Sequence, residues 1–350
     1  MNKVFIAGGT GMLGANTARE FADAGVDVVV SSRKASDPVG QLLEDYSSRI
    51  RIEQLDLRDA EAVKQTFETH HFDGLVFVAH THQYALRRET VNEIYPILLN
   101  CLENARKTQV KRVVFGSSMA VYGGLTPPFD ETVTFPPGIT EPPGADRGVM
   151  KKFEVSVKRA IEIIALDYGQ PFQMGLSVPP GTVNPDPFDM EVVALRSPMM
   201  FGPGYRALGS ALGIAAHVAA GRLEHFKGQP AYGDIPVETL WQGLSSIPVN
   251  YVKDNATAIR VAMFADVLPG PVYNISSGFS RSPREQLQAL LNVAPDCADR
   301  MQIKPDDLPI AEMDLGFDGR RFEQDFGWSS PFTLESALSD YIGWLKTHSY

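Results

Sequence analysis

A run of glycines near the start of the chain limits what this sequence can fold into. The apolar segment 4–7 leads directly into Gly8-Gly9-Thr10-Gly11-Met12-Leu13-Gly14. This order predicts a strand, a tight turn and a helix, and a second apolar segment at 26–30 completes a β-α-β unit. Gly8 would let the chain leave the strand, Gly11 would let backbone N–H groups approach a pyrophosphate, and Gly14 would let the helix pack closely. A Walker-type phosphate loop is excluded because no Gly-Lys-Ser/Thr follows.

Composition narrows the class of protein. With 350 residues, 44% of them hydrophobic, the chain is long enough for a large core, and we expect two lobes. The formal net charge is −10, and no basic run is interleaved with aromatic residues. These features argue against nucleic acid and anionic membranes as partners, so we expect a small-molecule substrate.

Cysteine, histidine and apolar patterns carry three further expectations. Cys101 and Cys297 lie far apart without CxxC spacing, which indicates buried or idle thiols and no disulfide framework. The histidines show no metal-binding spacing, so we expect no metal site. The chain starts with strand residues and has no apolar run of about 18 residues, which predicts a cytoplasmic protein without a signal peptide or membrane span.

Strand-like and helical segments alternate through the first half of the chain. Apolar runs lie at 3–7, 26–31, 51–55, 74–79 and 111–117, and amphipathic stretches such as 60–69 and 91–107 lie between them. This alternation predicts an α/β fold with a doubly wound parallel sheet, which binds ligands at the carboxyl ends of its strands.

The residues after the second and third strands bear on the choice of nucleotide. The second strand ends in Ser31-Ser32-Arg33-Lys34, whose hydroxyls and cations suit a 2′-phosphate, so we expect NADP rather than NAD. The alternative is that the two cations belong to a solvated loop. Asp56, before Leu57, would meet the adenine amino group or cap the helix that begins near Asp59.

Short motifs spread along nearly the whole chain occur in the same order as in a known protein family. They are the residues 7–14, 77–80, Asn92, 112–123, 195–204, 248–254 and 272–275. In these segments the chain resembles the extended short-chain dehydrogenase/reductases of the NAD-dependent epimerase/dehydratase family.

The resemblance implies a Rossmann lobe that binds the cofactor and a smaller, discontinuous C-terminal lobe that binds the substrate. We assign the first lobe to residues 1–171, with 191–203 and 248–267 returning to it, and the second to 172–190, 204–247 and 268–350. The expected cofactor-binding residues are Gly8, Thr10, Gly11, Met12, Leu13, Gly14, Ser32, Arg33, Asp56, Leu57, Ala79 and Lys151.

The catalytic residues of that family are matched only in part. The family uses a serine at the end of the fifth strand and a tyrosine and lysine in a Tyr-x-x-x-Lys helix, where the lysine lowers the tyrosine pKa. Ser118 matches the serine and Lys151 the lysine, but Arg147 stands in the tyrosine position. Arginine is no general base near neutral pH, so Arg147 would act as an electrophile or lie exposed at the start of the helix.

Other side chains are candidates for the missing proton donor. Tyr122 follows Ser118 by four residues, and the sequence does not rank it against His80, His82, Glu131, Glu141 and Asp146. The expected function is NADP(H)-dependent reduction of a ketone of a small metabolite. The alternatives are an epimerase- or dehydratase-type isomerase or lyase acting on a sugar-like substrate, and a catalytically silent NADP-binding protein.

Two features outside the cofactor lobe bear on substrate and assembly. Family members that bind nucleoside-diphosphate sugars commonly carry an arginine where this chain has Ile247-Pro248, which argues against a nucleotide sugar unless Arg206, Arg222 or Arg320 replaces it. The proline-rich loop 124–145 and the segment 172–189 are expected to shape the pocket. The resemblance also suggests a homodimer through the helices at 91–107 and 150–168.

Overall fold

The computed structural model describes most of the chain. The described residues are 1–34, 42–43, 45–46, 48–80, 87–135, 149–169, 190–204, 211–222, 248–279, 282–297, 304–308, 310 and 316–348, without the side chains at 87, 149–152 and 211.

A seven-stranded parallel sheet forms the centre of the molecule. The strands, in chain order, are β1 (Lys3–Ala7), β2 (Asp27–Ser32), β3 (Ile50–Gln54), β4 (Gly74–Phe77), β5 (Arg112–Ser118), β6 (Glu191–Ser197), β7 (Met199–Phe201), β8 (Val249–Tyr251) and β9 (Val272–Asn274). Their order in the sheet is β3-β2-β1-β4-β5-β6-β9, and β7 and β8 form a separate parallel pair. The doubly wound α/β fold predicted from the sequence is confirmed.

Helices cover both faces of the sheet and pack around β7 and β8. Within the described residues they are α1 (Met12–Asp23), α2 (Ala60–His70), α3 (Arg87–Lys107), α4 (Val149–Asp167), α5 (Ala211–Ala219), α6 (Val252–Phe264), α7 (Pro283–Val293), α8 (Arg320–Phe326) and α9 (Leu334–Thr347). None of them is long and apolar enough to cross a membrane.

Successive side chains of a strand point to opposite faces of the sheet, so each strand contributes to a hydrophobic core on either side. Phe5 and Leu75 join the core shared with α2, α3 and α4, while Val4, Ile6 and Val76 join the core shared with α1 and α6. Strands buried on both faces are continuously apolar, as parallel strands usually are. A third core lies between β7, β8, α5, α7 and α9, and Cys101 and Cys297 are both buried thiols.

Strand β9 differs from the assignment of residues 268–350 to the second lobe. It pairs with β6 through Leu195 and Tyr273 and so completes the central sheet. The edge of β6 needs a hydrogen-bonding partner, and three residues of β9 supply it, a run too short for sequence periodicity to reveal. The remaining lobe boundaries stay predictions.

Candidate active site

The strand order reverses between β1 and β4, and doubly wound sheets have a crevice at this point, at the carboxyl ends of the strands. Gly8 leaves β1 with a φ of +85°, and a Cβ there would lie 2.7 Å from the backbone of Ala79. The N–H of Gly8 donates to Ser31 Oγ at 3.1 Å. The loop is therefore held between β2 and β4, at the position where doubly wound sheets bind nucleotides.

The N-terminus of α1 opens onto this crevice. Gly14 is packed so closely that a Cβ there would lie 2.2 Å from the carbonyl O of Gly8. Gly11 is the exposed N-cap, no side chain caps the helix, and its first turn contains no acidic residue. Thr10, Met12 and Leu13 are partly exposed around the same turn. Uncapped N–H groups and the helix dipole suit a phosphate, so this loop fits the pyrophosphate of a dinucleotide.

Charged side chains surround the ends of β2 and β3, where the adenosine half would lie. Arg33 Nη1 lies 3.1 Å from Glu93 Oε1 on α3, and Arg58 Nε donates to Asp56 Oδ1 at 2.9 Å. The hydrogen bond from Arg58 lowers the pKa of Asp56 against the opposing effect of its partial burial. The two cations are balanced by two carboxylates.

Hydroxyl and apolar groups line the rest of this end. The Ser32 hydroxyl is buried and donates to the Lys34 carbonyl O at 2.9 Å. Leu57 is buried, and its carbonyl accepts from Asn100 Nδ2 at 2.9 Å. The helix after β3 is capped by Asp59, which accepts from the N–H groups of Glu61 and Ala62. Asp56 is thus not that helix's cap and remains directed to Arg58.

A lysine of α4 meets the end of β4. Lys158 Nζ lies 2.8 Å from Nδ1 of His80, the residue after Ala79. The Lys158 side chain is partly accessible to solvent. Removal of much of its surrounding water by the protein lowers its pKa to about 8, and the Glu154 carboxylate opposes this effect. On the neighbouring strand, Ser118 Oγ accepts from the Ala120 N–H at 3.2 Å, which leaves its proton available to a ligand.

A buried polar network fixes α4 against the sheet. Glu162 accepts from Arg196 Nε at 3.0 Å and from Ser117 Oγ at 2.5 Å. Arg159, on the same helix, donates to the carbonyls of Val121 and Gly123 at 2.7 and 2.8 Å. Because these contacts lock the rotation of α4, they determine where Lys158 is directed.

Tyr122 belongs to this network. Its side chain is 1% exposed; the hydroxyl accepts from Arg196 Nη1 at 2.8 Å and lies 2.9 Å from Asn274 Oδ1 and the Asp130 carbonyl O. Burial raises the pKa of Tyr122, and Arg196 only partly offsets this effect. Glu131 is also engaged, since it accepts from the Asn274 N–H at 2.8 Å. Both side chains join β9 to the loop after β5.

Several of the sequence-based candidates lie outside the described residues. They are His82, Glu141, Asp146, Arg147 and Arg206, together with the side chain of Lys151, whose backbone lies in α4. Arg320 is exposed and paired with Asp318.

Sequence reasoning missed Lys158. The signal that would have found it is the pair Glu154-x-x-x-Lys158, which has the family's spacing with a carboxylate in place of the tyrosine. No cluster of metal-ligating side chains occurs within the described ranges.

Comparisons with curated proteins return nucleotide-sugar epimerases. The UDP-glucose 4-epimerase of Bacillus subtilis is 25% identical over 367 residues, covering 99% of this chain and 97% of that enzyme. The UDP-glucose 4-epimerase of Lacticaseibacillus casei is 28% identical over 199 residues, and that match spans 52% of this chain and about half (55%) of the relative.

Solved structures share the fold over nearly the whole chain. UDP-glucose 4-epimerase from Thermotoga maritima superposes with a TM-score of 0.68 at 17% identity, covering 99% of both chains. dTDP-glucose 4,6-dehydratase from Bacillus anthracis, in complex with NAD, gives a TM-score of 0.66 at 17% identity over 99% and 97% of the two chains. The sequence model described as the NAD dependent epimerase/dehydratase family matches residues 4–276. The chain therefore belongs to that family of epimerase-like enzymes within the extended short-chain dehydrogenases/reductases.

Proposed function

We propose that this enzyme performs nicotinamide-dinucleotide-dependent chemistry on a nucleotide sugar, in which hydride leaves a substrate carbon and is returned within one catalytic cycle. The observation that carries the proposal is a convergence at one edge of the sheet. The phosphate cradle of α1, the Ser118 hydroxyl and the Lys158 ammonium all lie at the carboxyl ends of β1, β4 and β5. The full-length match to an epimerase supports the same class of reaction.

The residues present fit a dinucleotide. Gly8 and Gly14 leave no room for a Cβ, and the uncapped α1 supplies N–H groups for the pyrophosphate. When bound, the nicotinamide accepts and returns hydride. Ser118 would orient the substrate oxygen by donating its free proton. Lys158, which approaches the crevice from α4, is the lysine that we assign to this site in preference to Lys151.

We propose NAD rather than the NADP expected from the sequence. Arg33, the cation expected to meet a 2′-phosphate, is already paired with Glu93, and Asp56 with Arg58. The Glu93 carboxylate would repel a 2′-phosphate, whereas it can accept hydrogen bonds from ribose hydroxyls. Solved structures that share the fold, including the dehydratase above, are complexes with NAD.

Calorimetric titration of the protein with NAD⁺ and NADP⁺ tests this choice. We expect NAD⁺ to bind at least tenfold more tightly, and Glu93→Gln to narrow the difference because Arg33 is released. A preference for NADP⁺ in the parent protein, unchanged in Glu93→Gln, would return the assignment to NADP.

Reduction of a ketone in a metabolite other than a nucleotide sugar is the second candidate. It is favoured by the sequence directly before β8, where Ile247-Pro248 stands in the position of the arginine expected to meet a diphosphate. The similar UDP-glucose 4-epimerases and the dTDP-glucose 4,6-dehydratase favour a nucleotide sugar instead. The difference between the two reactions is stoichiometric, since a reductase consumes cofactor and an epimerase does not.

The deciding experiment incubates the protein with NAD⁺ and UDP-glucose, and in parallel with dTDP-glucose. Proton NMR of the anomeric region follows the sugar, and absorbance at 340 nm follows the cofactor. We expect a new sugar nucleotide without net formation of reduced cofactor. Tight NAD⁺ binding with neither sugar converted would refute the assignment to these two sugars, and net cofactor turnover with a ketone would establish the reductase.

The homodimer remains a prediction. Leu99 on α3 and Ile163 on α4 are exposed apolar side chains, at 39% and 55%, on the two helices named for it.

A further inference from the structure

The contact between His80 and Lys158 joins a candidate proton donor of the sequence analysis to a lysine that the sequence analysis did not single out. The two residues are 78 positions apart, and their nitrogens lie 2.8 Å apart at the carboxyl edge of the sheet. Lys158 is partly accessible rather than enclosed, and His80 is exposed, so a ligand in the crevice can reach the pair.

The hydrogen bonds of Glu162 determine how far along the strand direction the His80–Lys158 pair lies. Glu162 bonds to Ser117, so those two residues lie at the same level of the sheet. Helix α4 runs antiparallel to β5, and Lys158, four residues earlier, lies about 6 Å nearer the carboxyl edge. This distance is almost two residues of strand, which places Lys158 beyond Ser118, the last residue of β5.

We propose that Lys158 is the acid and base of hydride transfer in this enzyme, in place of the family's tyrosine, and that His80 is the residue that positions its amine. The proposal rests on the proposed function and deepens it. The described part of α4 has no tyrosine facing this edge, and Tyr122 is occupied within the core.

One proton and one hydride leave the substrate alcohol, and both are returned to it. When the substrate alcohol is oxidised, its C–H bond breaks and the hydride goes to NAD⁺. Its O–H bond breaks as well, and the proton goes to the neutral amine of Lys158, which becomes an ammonium. On return of the hydride to the ketone, the ammonium gives the proton back to the alkoxide oxygen. An amine that changes protonation near neutral pH is matched to this task, and the pKa of Lys158, about 8, is of that kind.

Two titratable groups of the described residues act on Lys158. Within this part of the chain, His80 follows β4 and Glu154 lies one turn earlier on α4, while Glu162, one turn later, is paired with Arg196 of β6 rather than with Lys158. Neutral His80 accepts from the ammonium, and the Glu154 carboxylate also stabilises the charged form. Removing either group should therefore lower the pKa of Lys158. Glu154 is itself the rival candidate, because it stands four residues before the lysine.

Competitive acetylation measures the pKa of the Lys158 amine directly and needs no substrate. The protein, with and without NAD⁺, is labelled with trace acetic anhydride from pH 6 to 11, and mass spectrometry quantifies Lys158 against exposed Lys107. We expect Lys158 to titrate below Lys107, to shift to lower pH in His80→Ala, and to recover in His80→Gln, whose amide oxygen accepts the same hydrogen bond. NAD⁺ should slow labelling of Lys158 at least fivefold. Titration of Lys158 together with Lys107, unaffected by His80→Ala, would overturn the proposal whether or not the enzyme turns over UDP-glucose.

Turnover of UDP-glucose then separates Lys158 from Glu154. We expect Lys158→Met to lower kcat by 10²- to 10⁴-fold, a range typical of general acid–base catalysis. His80→Ala should lower kcat tenfold or more and shift the pH profile by the change seen in labelling, while His80→Gln stays within about threefold. Glu154→Gln should shift the same profile with a smaller loss. A loss in Glu154→Gln equal to that in Lys158→Met, with His80→Ala unchanged, would assign the proton to the carboxylate instead.

Discussion

The buried pair of Glu162 and Arg196 gives the sharpest test of how α4 is held. Both side chains are almost fully enclosed, at 1% and 4% exposure, and Arg196 contacts the carboxylate through Nε and Nη2. Glu162→Gln leaves the guanidinium buried without a counter-charge. Breaking such a pair costs about 3–5 kcal/mol, because the remaining charge keeps its desolvation penalty.

Urea denaturation followed by circular dichroism measures this cost. A thermal melt gives a second measure of the same cost. With an unfolding entropy of about 2.1 cal/mol/K per residue, a loss of 3–5 kcal/mol corresponds to a fall in Tm of about 4–7 °C for a chain of this length that unfolds cooperatively. Glu162→Met with Arg196→Met should recover more than half of the loss, since the double variant leaves no buried charge. The matched control is Asp318→Asn, which breaks an exposed pair with Arg320 and should leave stability almost unchanged, because solvent screens the two charges.

Two results would refute this reasoning. One is a cost for Glu162→Gln no larger than that of Asp318→Asn. The other is a double variant as unstable as the single one, since the loss would then come from packing rather than from an uncompensated charge.

Three further predictions concern other parts of the molecule. Burial raises the pKa of Asp254 to about 6, so the native state holds its proton more tightly and stability should fall as pH rises from about 4 to 6, by about 3 kcal/mol; urea titrations should show this slope vanish in Asp254→Asn. Arg112→Met removes the guanidinium that donates to carbonyls at the end of α6, and the same denaturation should register a loss of about 2–3 kcal/mol. Gly14→Ala should weaken NAD⁺ binding at least tenfold by calorimetry, whereas Gly343→Ala, in a helix with open space around it, should leave affinity unchanged. Equal affinities for the two glycine variants would contradict the cradle described for α1.

The local signals of the sheet were sufficient to predict its fold. Strand β1 lies where the apolar run placed it, and β2 to β5 begin and end within about two residues of the predicted segments. The glycine spacing likewise predicted the turn at Gly8 and the close packing of Gly14. Both features depend on neighbours along the chain, which a sequence displays directly.

The candidate site was harder to predict from the sequence, because its contacts join residues that are far apart along the chain. Arg33 was expected to meet a phosphate, but its partner Glu93 lies 60 residues away on α3. Tyr122 was a reasonable proton donor until its place between β5, β6 and β9 was known. Lys158 was overlooked because the family spacing was sought at the start of the helix, whereas the contacts of Glu162 and Arg159 determine which turn of α4 faces the crevice.

The late position of β9 in the chain has a consequence for biosynthesis. About 75 residues separate the end of β6 from the end of β9, so translation at 5–20 residues per second leaves the β6 edge without its partner for on the order of 4–15 s. During that time Tyr122 and Glu131 also lack their hydrogen-bonding partner Asn274. A nascent chain released before residue 274 would therefore carry an open strand edge, the kind of surface that chaperones bind and that promotes aggregation.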